Sequence, residues 1–367
     1  MNAENFNRQA VKLRVLVAPL DWGLGHATRC IPVIKELIIN GFEVMIAAEG
    51  PTQSLLQAEF SELKFLPLQG YEILYSRQPK LFVFKLIGQF PKIFGRTRYE
   101  QRWLKKAVLQ YGIDAIISDN RPGLYHRSIP AVYITHQLNI KTGSNFISRI
   151  AQKLHYRYIN KFSECWIPDA AGKLNLAGDL SHPQNLPKIP LRYLGPLSRF
   201  EKKENIEKKI DLLMLLSGPE PQRTIFENKL LAELRNYKGN VLLVRGLPGN
   251  LIIATPANSS IQQFNHLSAS ELNEVIQQSK MVISRSGYTT VMDLVKLKQP
   301  AIFVPTPGQT EQEYLGDYLM QQKMFFCVKQ DGFALVNAIE QAERFSFDIP
   351  VIGETYKDVI KQWAASL

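Results

Sequence analysis

Cysteine is scarce in this chain of 367 residues: there are three, Cys30, Cys165 and Cys327. They are odd in number and far apart, which excludes a disulfide framework and matches no metal-ligand spacing. A reducing cytoplasm is the expected setting. Long apolar runs are also missing, and none approaches the ~20 residues that a transmembrane helix needs. The first ten residues, MNAENFNRQA, are polar and include Glu4, unlike a secretory signal. Acid is thin in one half only. Residues 1–200 hold 26 Lys/Arg against 14 Asp/Glu, and residues 201–367 hold 18 against 19. The whole net charge of +11 therefore belongs to the first half, which implies two halves with different tasks.

What is present suits a two-domain α/β protein. Hydrophobic residues make up 45% of the chain, enough for a sizeable core. Short β-branched runs at 13–18, 43–48, 63–67, 114–118, 131–135 and 164–167 alternate with helical patterns such as 28–40 and 51–59. The second half repeats the alternation with runs at 211–216, 240–245, 260–264, 281–284 and 301–304. This pattern predicts parallel sheets covered on both faces. The charged stretch 194–209, flanked by Pro and Gly, is the natural linker, and a last helix is predicted over 354–366. Two doubly wound halves leave a cleft, with ligands expected at the carboxyl ends of strands.

Three stretches at such strand ends bear chemistry. In DWGLGHATRC (21–30), Gly23 and Gly25 permit a tight turn and close approach to a ligand. The free N–H groups of the following helix favour an anion and disfavour a charged imidazole. His26 therefore suits a neutral general base facing a phosphate-bearing ligand; the plainer alternative is a helix-capping histidine. In ISRSGYTTVMDL (283–294), backbone N–H groups and the hydroxyls of Ser286, Thr289 and Thr290 can hold a diphosphate without a metal. Asp293 is spaced to accept two hydrogen bonds from a ribose. The alternative there is a hydroxyl N-cap with a first-turn acid. In VPTPGQTEQEY (304–314), Gln312 and Glu313 suit sugar hydroxyls, or simply begin an exposed helix.

Together, in this order and spacing, these stretches resemble the GT-B glycosyltransferases. Similar members are the lipid-linked N-acetylglucosaminyltransferase of peptidoglycan synthesis and the UDP-glycosyltransferases of small-molecule conjugation. The resemblance implies an α/β fold of two Rossmann-like doubly wound domains facing a cleft, at 1–199 (acceptor) and 200–353 (donor). A C-terminal helix, 354–367, would cross back to the first domain. It implies a UDP-sugar donor and no cofactor. Ser217 and Gly218 would approach the phosphates, with Arg245 near phosphate or uracil. Phe264, Asn265, His266 and Leu267 would flank the uracil, and Arg285, Ser286, Gly287, Tyr288, Thr289 and Thr290 would form the diphosphate motif. Asp293 stands where the family usually has Glu, and Glu313 where it usually has Gln. No Asp-x-Asp occurs, which agrees with metal-free binding through helix N-termini. In the implied inverting reaction His26 deprotonates an acceptor hydroxyl. Asp119, in SDNR (118–121), is its expected partner, or else forms an Asx turn with Asn120. Asn120, Arg121, His136 and Gln137 are expected on the acceptor side.

The basic, aromatic stretch 77–106 has nine Lys/Arg and a single acid, Glu100. It suits either an anionic membrane surface, and with it a lipid-linked acceptor, or a helical hairpin with solvated lysines. A peripheral place on the inner face of the cytoplasmic membrane follows from the first reading. Two other functions compete. A UDP-sugar 2-epimerase would need several carboxylates in the acid-poor first half. A non-catalytic nucleotide-sugar-binding protein or a basic nucleic-acid binder is the other, and the basic, aromatic stretch fits the latter loosely, but a nucleic-acid role would leave the three-part donor site unexplained. No nucleic-acid module is recognisable, and nucleic acid is not an expected partner.

Overall fold

The computed structural model describes residues 12–71, 90–142, 144–218, 220–247 and 261–367. Of the basic stretch 77–106, residues 77–89 thus lie outside the described residues. Among the described residues the strands form two parallel sheets. The first contains β1 (Arg14–Pro19), β2 (Glu43–Ala47), β3 (Lys64–Leu66), β4 (Ala115–Asp119), β5 (Ala131–Ile134), β6 (Glu164–Ile167) and β7 (Leu191–Tyr193), in the order β3-β2-β1-β4-β5-β6-β7. The second contains β8 (Ile210–Leu215), β9 (Val241–Val244), β10 (Ile261–Phe264), β11 (Ser279–Ser284), β12 (Ala301–Phe303) and β13 (Phe326–Cys327), in the order β10-β9-β8-β11-β12-β13.

Helices cover both faces, which is why the middles of the central strands are apolar on both sides. Along β1, Val15 and Val17 enter one hydrophobic cluster while Leu16 and Ala18 enter another. Period-two alternation thus feeds two cores rather than a core and solvent. In the first half the helices are α1 (Leu24–Ile39), α2 (Gly50–Glu59), α3 (Phe90–Tyr111) and α4 (Asn145–Ile159). In the second they are α5 (Gln222–Glu233), α6 (Ala269–Gln277), α7 (Tyr288–Leu297), α8 (Thr310–Gln321), α9 (Leu335–Glu343) and α10 (Tyr356–Ala364). The edge strands β7 and β13 are not foreshadowed by the sequence pattern: LRY (191–193) and FC (326–327) are not part of a β-branched run.

In both sheets the order of strand addition reverses beside the first strand, between β1 and β4 and between β8 and β11. A crevice opens at the carboxyl ends of each such pair, because the flanking crossovers leave in opposite directions. The two crevices face each other. The chain passes between the halves at 194–209 and returns at 353–355, where Thr355 N–H donates to Leu194 O at 3.0 Å. The two passages touch at Gly195, whose φ is 69° and where a Cβ would collide with the Gly353 carbonyl oxygen. Beyond this point α10 does cross back to the first half. Its Trp363 packs edge-on to Trp166 at 5.5 Å between ring centroids and lies 5.9 Å from Phe42.

Candidate active site

After β1 the chain turns at Gly23, the N-cap of α1, with φ 102°, a conformation that L side chains rarely adopt. The helix then begins at Leu24 rather than at 28, as the apolar periodicity suggests. His26 therefore stands inside the first helical turn. β4 runs beside β1 with Pro19 opposite Asp119, so the last residue of β4 ends next to that turn. His26 Nδ1 lies 3.1 Å from Asp119 Oδ2, and Asp119 is fully buried. Asn120, next in the chain, takes a left-handed φ of 54°.

Arg29 completes this cluster and is absent from the sequence reading. It lies three residues after His26, hence on the same helix face. Its Nε donates to Asp119 Oδ2 at 2.8 Å, and its Nη2 donates to Oδ1. Nη2 also lies 2.8 Å from His26 Nδ1, and Nη1 lies 3.3 Å from Nδ1 of His136, just past β5. Burial alone would raise the Asp119 carboxyl, but Arg29 and then His26 outweigh it and hold it at about 2. Burial, then Arg29, lower His26 from its ordinary 6.5 against the opposing pull of Asp119. The ring is therefore neutral at pH 7. Nδ1 faces both the Asp119 carboxylate, which accepts, and the Arg29 guanidinium, which donates; in the tautomer whose Nδ1 proton is directed at Asp119, the Nε2 lone pair is left for a substrate proton.

The second half closes onto this cluster directly. Thr289 Oγ1, in the first turn of α7, donates to Gly25 O at 3.1 Å. A Cβ on Gly25 would come within 2.9 Å of that hydroxyl, so glycine permits the two helix starts to meet. Glu311, in the first turn of α8, reaches the first half through Oε1, 2.8 Å from His136 Nε2, and Oε2, which accepts from the Gln137 amide. Burial opposes ionisation of Glu311, but His136, chiefly, holds its carboxyl below the ordinary range. The His136 ring stacks on Tyr288 at 4.1 Å, and the Tyr288 hydroxyl donates to Pro168 O at 2.8 Å. Glu311 is a second residue missed from sequence. It precedes the Gln312–Glu313 pair that drew attention, and only the domain contact marks it.

The expected donor residues gather around the second crevice, in two kinds of environment. Ser217 and Gly218 follow β8 as an exposed turn, Gly218 having φ 104°. Gly287 is the N-cap of α7, and Thr290 is half-buried in its first turn. Asp293 is buried one turn further on, accepts from Ser198 Oγ at 2.6 Å and is pushed up to about 6 by burial. His266 is lowered by burial and then by Arg199, while its neighbours Asn265 and Leu267 are buried beyond Phe264 at the end of β10. Other side chains are bound to protein. Arg285 donates to the carbonyls of Val304, Pro305 and Gln222, and Ser286 Oγ donates to Gln312 O. Gln312 Oε1 accepts from Thr306 N–H and Glu313 Oε1 from Gly308 N–H. Arg245 is paired with Glu227 and donates to Asn265 Oδ1 at 2.9 Å. Arg121 is 1% exposed and is held by Glu100 and the Pro19 carbonyl. Its side chain therefore braces the floor of the first crevice and is not presented to it.

Residues 253–346 match the glycosyltransferase family 28 C-terminal domain. An uncharacterized glycosyltransferase of Methanosarcina acetivorans is 24% identical over 333 residues, covering 82% of each chain. The UDP-N-acetylglucosamine–N-acetylmuramyl-(pentapeptide) pyrophosphoryl-undecaprenol N-acetylglucosamine transferase of Haemophilus ducreyi is 23% identical over 329 residues, covering 86% of this chain and 85% of that one. Among solved structures, spinosyn rhamnosyltransferase complexed with thymidine diphosphate superposes with a TM-score of 0.58 at 16% identity, over 97% of this chain and 92% of that one. Two opposed doubly wound domains, a matched family 28 segment and these relatives define the class: the chain is a glycosyltransferase of the GT-B fold. Within that class it resembles the lipid-linked N-acetylglucosaminyltransferase of peptidoglycan synthesis and the nucleotide-sugar-dependent glycosyltransferases.

Proposed function

We propose that the chain moves a hexose or N-acetylhexosamine from a UDP-sugar to an acceptor hydroxyl, with inversion and without a metal. The observation that supports this best is the neutral, partly open His26 backed by a buried, ionised Asp119, facing the N-terminus of α7 across the cleft. In the reaction, Nε2 of His26 takes the acceptor proton as the oxygen attacks the anomeric carbon. The new C–O bond forms on the face opposite UDP. The anomeric C–O bond to phosphate breaks, and UDP leaves with the electron pair. The backbone N–H groups of the α7 N-terminus, with the Thr290 hydroxyl and the Ser217–Gly218 turn, stabilise the diphosphate charge, while the Ser286 and Thr289 hydroxyls, which donate to Gln312 O and Gly25 O, hold that N-terminus in place. Asp293 accepts from the ribose, Arg245 and residues 264–267 flank the uracil, and Gln312 and Glu313 address the sugar.

The acceptor binds the first half near Asn120, His136 and Gln137, and the excess of basic residues in that half, 26 against 14 acidic ones, suits a lipid-linked or otherwise anionic acceptor. Peripheral attachment to the inner face of the cytoplasmic membrane through 77–106 belongs to the same reading. Among the described residues no helix is long and apolar enough to cross a membrane. The deciding experiment is calorimetric titration of chelator-treated protein with UDP and with thymidine diphosphate. Micromolar UDP binding that Asp293→Ala weakens supports the donor assignment. A preference for thymidine diphosphate, or no binding of either, overturns it.

A further inference from the structure

The base–carboxylate pair is not a simple dyad. Arg29 is fully buried and touches both members, donating at two points to Asp119 while Nη2 stands 2.8 Å from His26 Nδ1. A lone carboxylate beside an imidazole favours the imidazolium and raises its proton affinity by about 1–3 pH units. A base that is already protonated cannot accept the acceptor's proton. The guanidinium offsets this pull. It is permanently charged, equally close to the ring, and its fork matches the carboxylate's two oxygens. The other groups facing this spot are Cys30 on α1, His136 after β5 and Glu311 on α8. Tyr288 on α7 stacks on His136, but its hydroxyl is turned away to Pro168.

We propose that Arg29 is a positioning residue for the base: it grips Asp119 through a two-point hydrogen bond and, by opposing that carboxylate's charge, keeps His26 unprotonated, an inference that rests on the reading of His26 as the general base. Charge and geometry are separable. Arg29→Gln removes the charge, whereas Arg29→Lys keeps the charge and loses the fork.

The test is an NMR titration of the histidine ring carbons in protein labelled at histidine, with His26→Gln identifying the resonance, beside kcat/KM measured against pH. In Arg29→Gln the His26 titration moves up by about 1–3 units, and the acid limb of the activity profile moves with it. In Arg29→Lys the titration stays near its wild-type position while kcat falls about tenfold or more. A His26 titration that is unchanged or lowered in folded Arg29→Gln overturns the proposal. If Arg29→Gln does not fold, Arg29→Lys decides: wild-type kcat, or a raised His26 titration, overturns it. The two readings fail differently. Normal turnover in His26→Ala refutes the base assignment while the ring titration still reports the coupling. An unmoved titration with impaired His26→Ala refutes the role of Arg29 alone.

Discussion

At the scale of single residues, environment decides which of several similar groups is chemically ready. Asp119 and Asp293 are both buried aspartates, but the first is held at about 2 and the second is pushed up to about 6. Both feel an arginine, but Arg29 grips Asp119 directly with two hydrogen bonds and His26 adds to its pull, whereas Arg199 acts on Asp293 through its charge and the hydrogen bond comes from Ser198, so burial prevails there. Removing His26 as His26→Ala lowers turnover by about 10²–10⁴ if it is the base, with UDP affinity unchanged by calorimetry. A ribose needs an accepting carboxylate, so UDP affinity is greatest above the Asp293 value of about 6 and weakens as pH falls through it. Asp293→Asn removes that pH dependence, which a titration series from pH 5 to pH 8 would reveal. For Asp119 the folded value lies below the unfolded 3.8. Its stabilising contribution, on the order of 2 kcal/mol, is present above the unfolded value and lost as pH falls through about 2. Acid unfolding of Asp119→Asn, compared with wild type, measures it.

At the scale of elements, function depends on helix starts that approach one another. α1 and α7 meet where Thr289 Oγ1 donates to Gly25 O. Since a Cβ at Gly25 would come within 2.9 Å of that hydroxyl, Gly25→Ala makes Thr289 either rotate off Gly25 O, losing the hydrogen bond, or move away with its helix start. We expect kcat/KM to fall about tenfold or more while the far-ultraviolet circular dichroism of the sheets and helices is retained. A variant with wild-type kcat/KM would show that the contact is not needed. Gly195 is a harsher position, with a left-handed φ of 69° and the Gly353 carbonyl in the place of any Cβ. Gly195→Ala combines backbone strain with an obstacle that cannot rotate away. It costs at least about 2 kcal/mol in chemical denaturation.

At the scale of the whole molecule, two sheets share one hydrophobic cluster, which runs from Val15 and Ile46 through Leu176 and Leu197 to Met292 and Trp363. α10 belongs to the second half by sequence and to the first by packing. Trp363→Ala removes its contacts with Trp166 and Phe42. A loss of about 3–5 kcal/mol is expected, with unfolding of the halves becoming less concerted, as read by denaturant titration. The charge imbalance also acts at this scale, since the first half holds 26 basic residues against 14 acidic ones. Flotation with anionic liposomes is expected at low salt and lost at high salt. Failure to float at low salt would overturn the membrane reading.

Most of the fold was legible in the amino-acid order. Alternating strand and helix patterns determine parallel sheets, and β-branched runs such as VLVA at 15–18 mark strands buried on both faces, because a strand covered twice leaves no polar side to read. The Gly-x-Gly-His turn was legible for a similar local reason: a glycine N-cap and a histidine three residues on are set by neighbours in the chain. The strand ends β7 and β13 were not, since so short a run pairs only because a longer neighbour offers an edge. The site's charge balance was not legible either. Arg29 could have been found by its i, i+3 spacing from His26, but spacing alone does not say whether the shared face meets solvent or a carboxylate. Asp119 lies 90 residues from Arg29, and Glu311 lies 175 residues from His136. Only the juxtaposition of β1 with β4, and of α8 with the loop after β5, brought those charges within hydrogen-bonding range. Coulomb interactions and desolvation depend on distance in space, and there the tertiary structure decides.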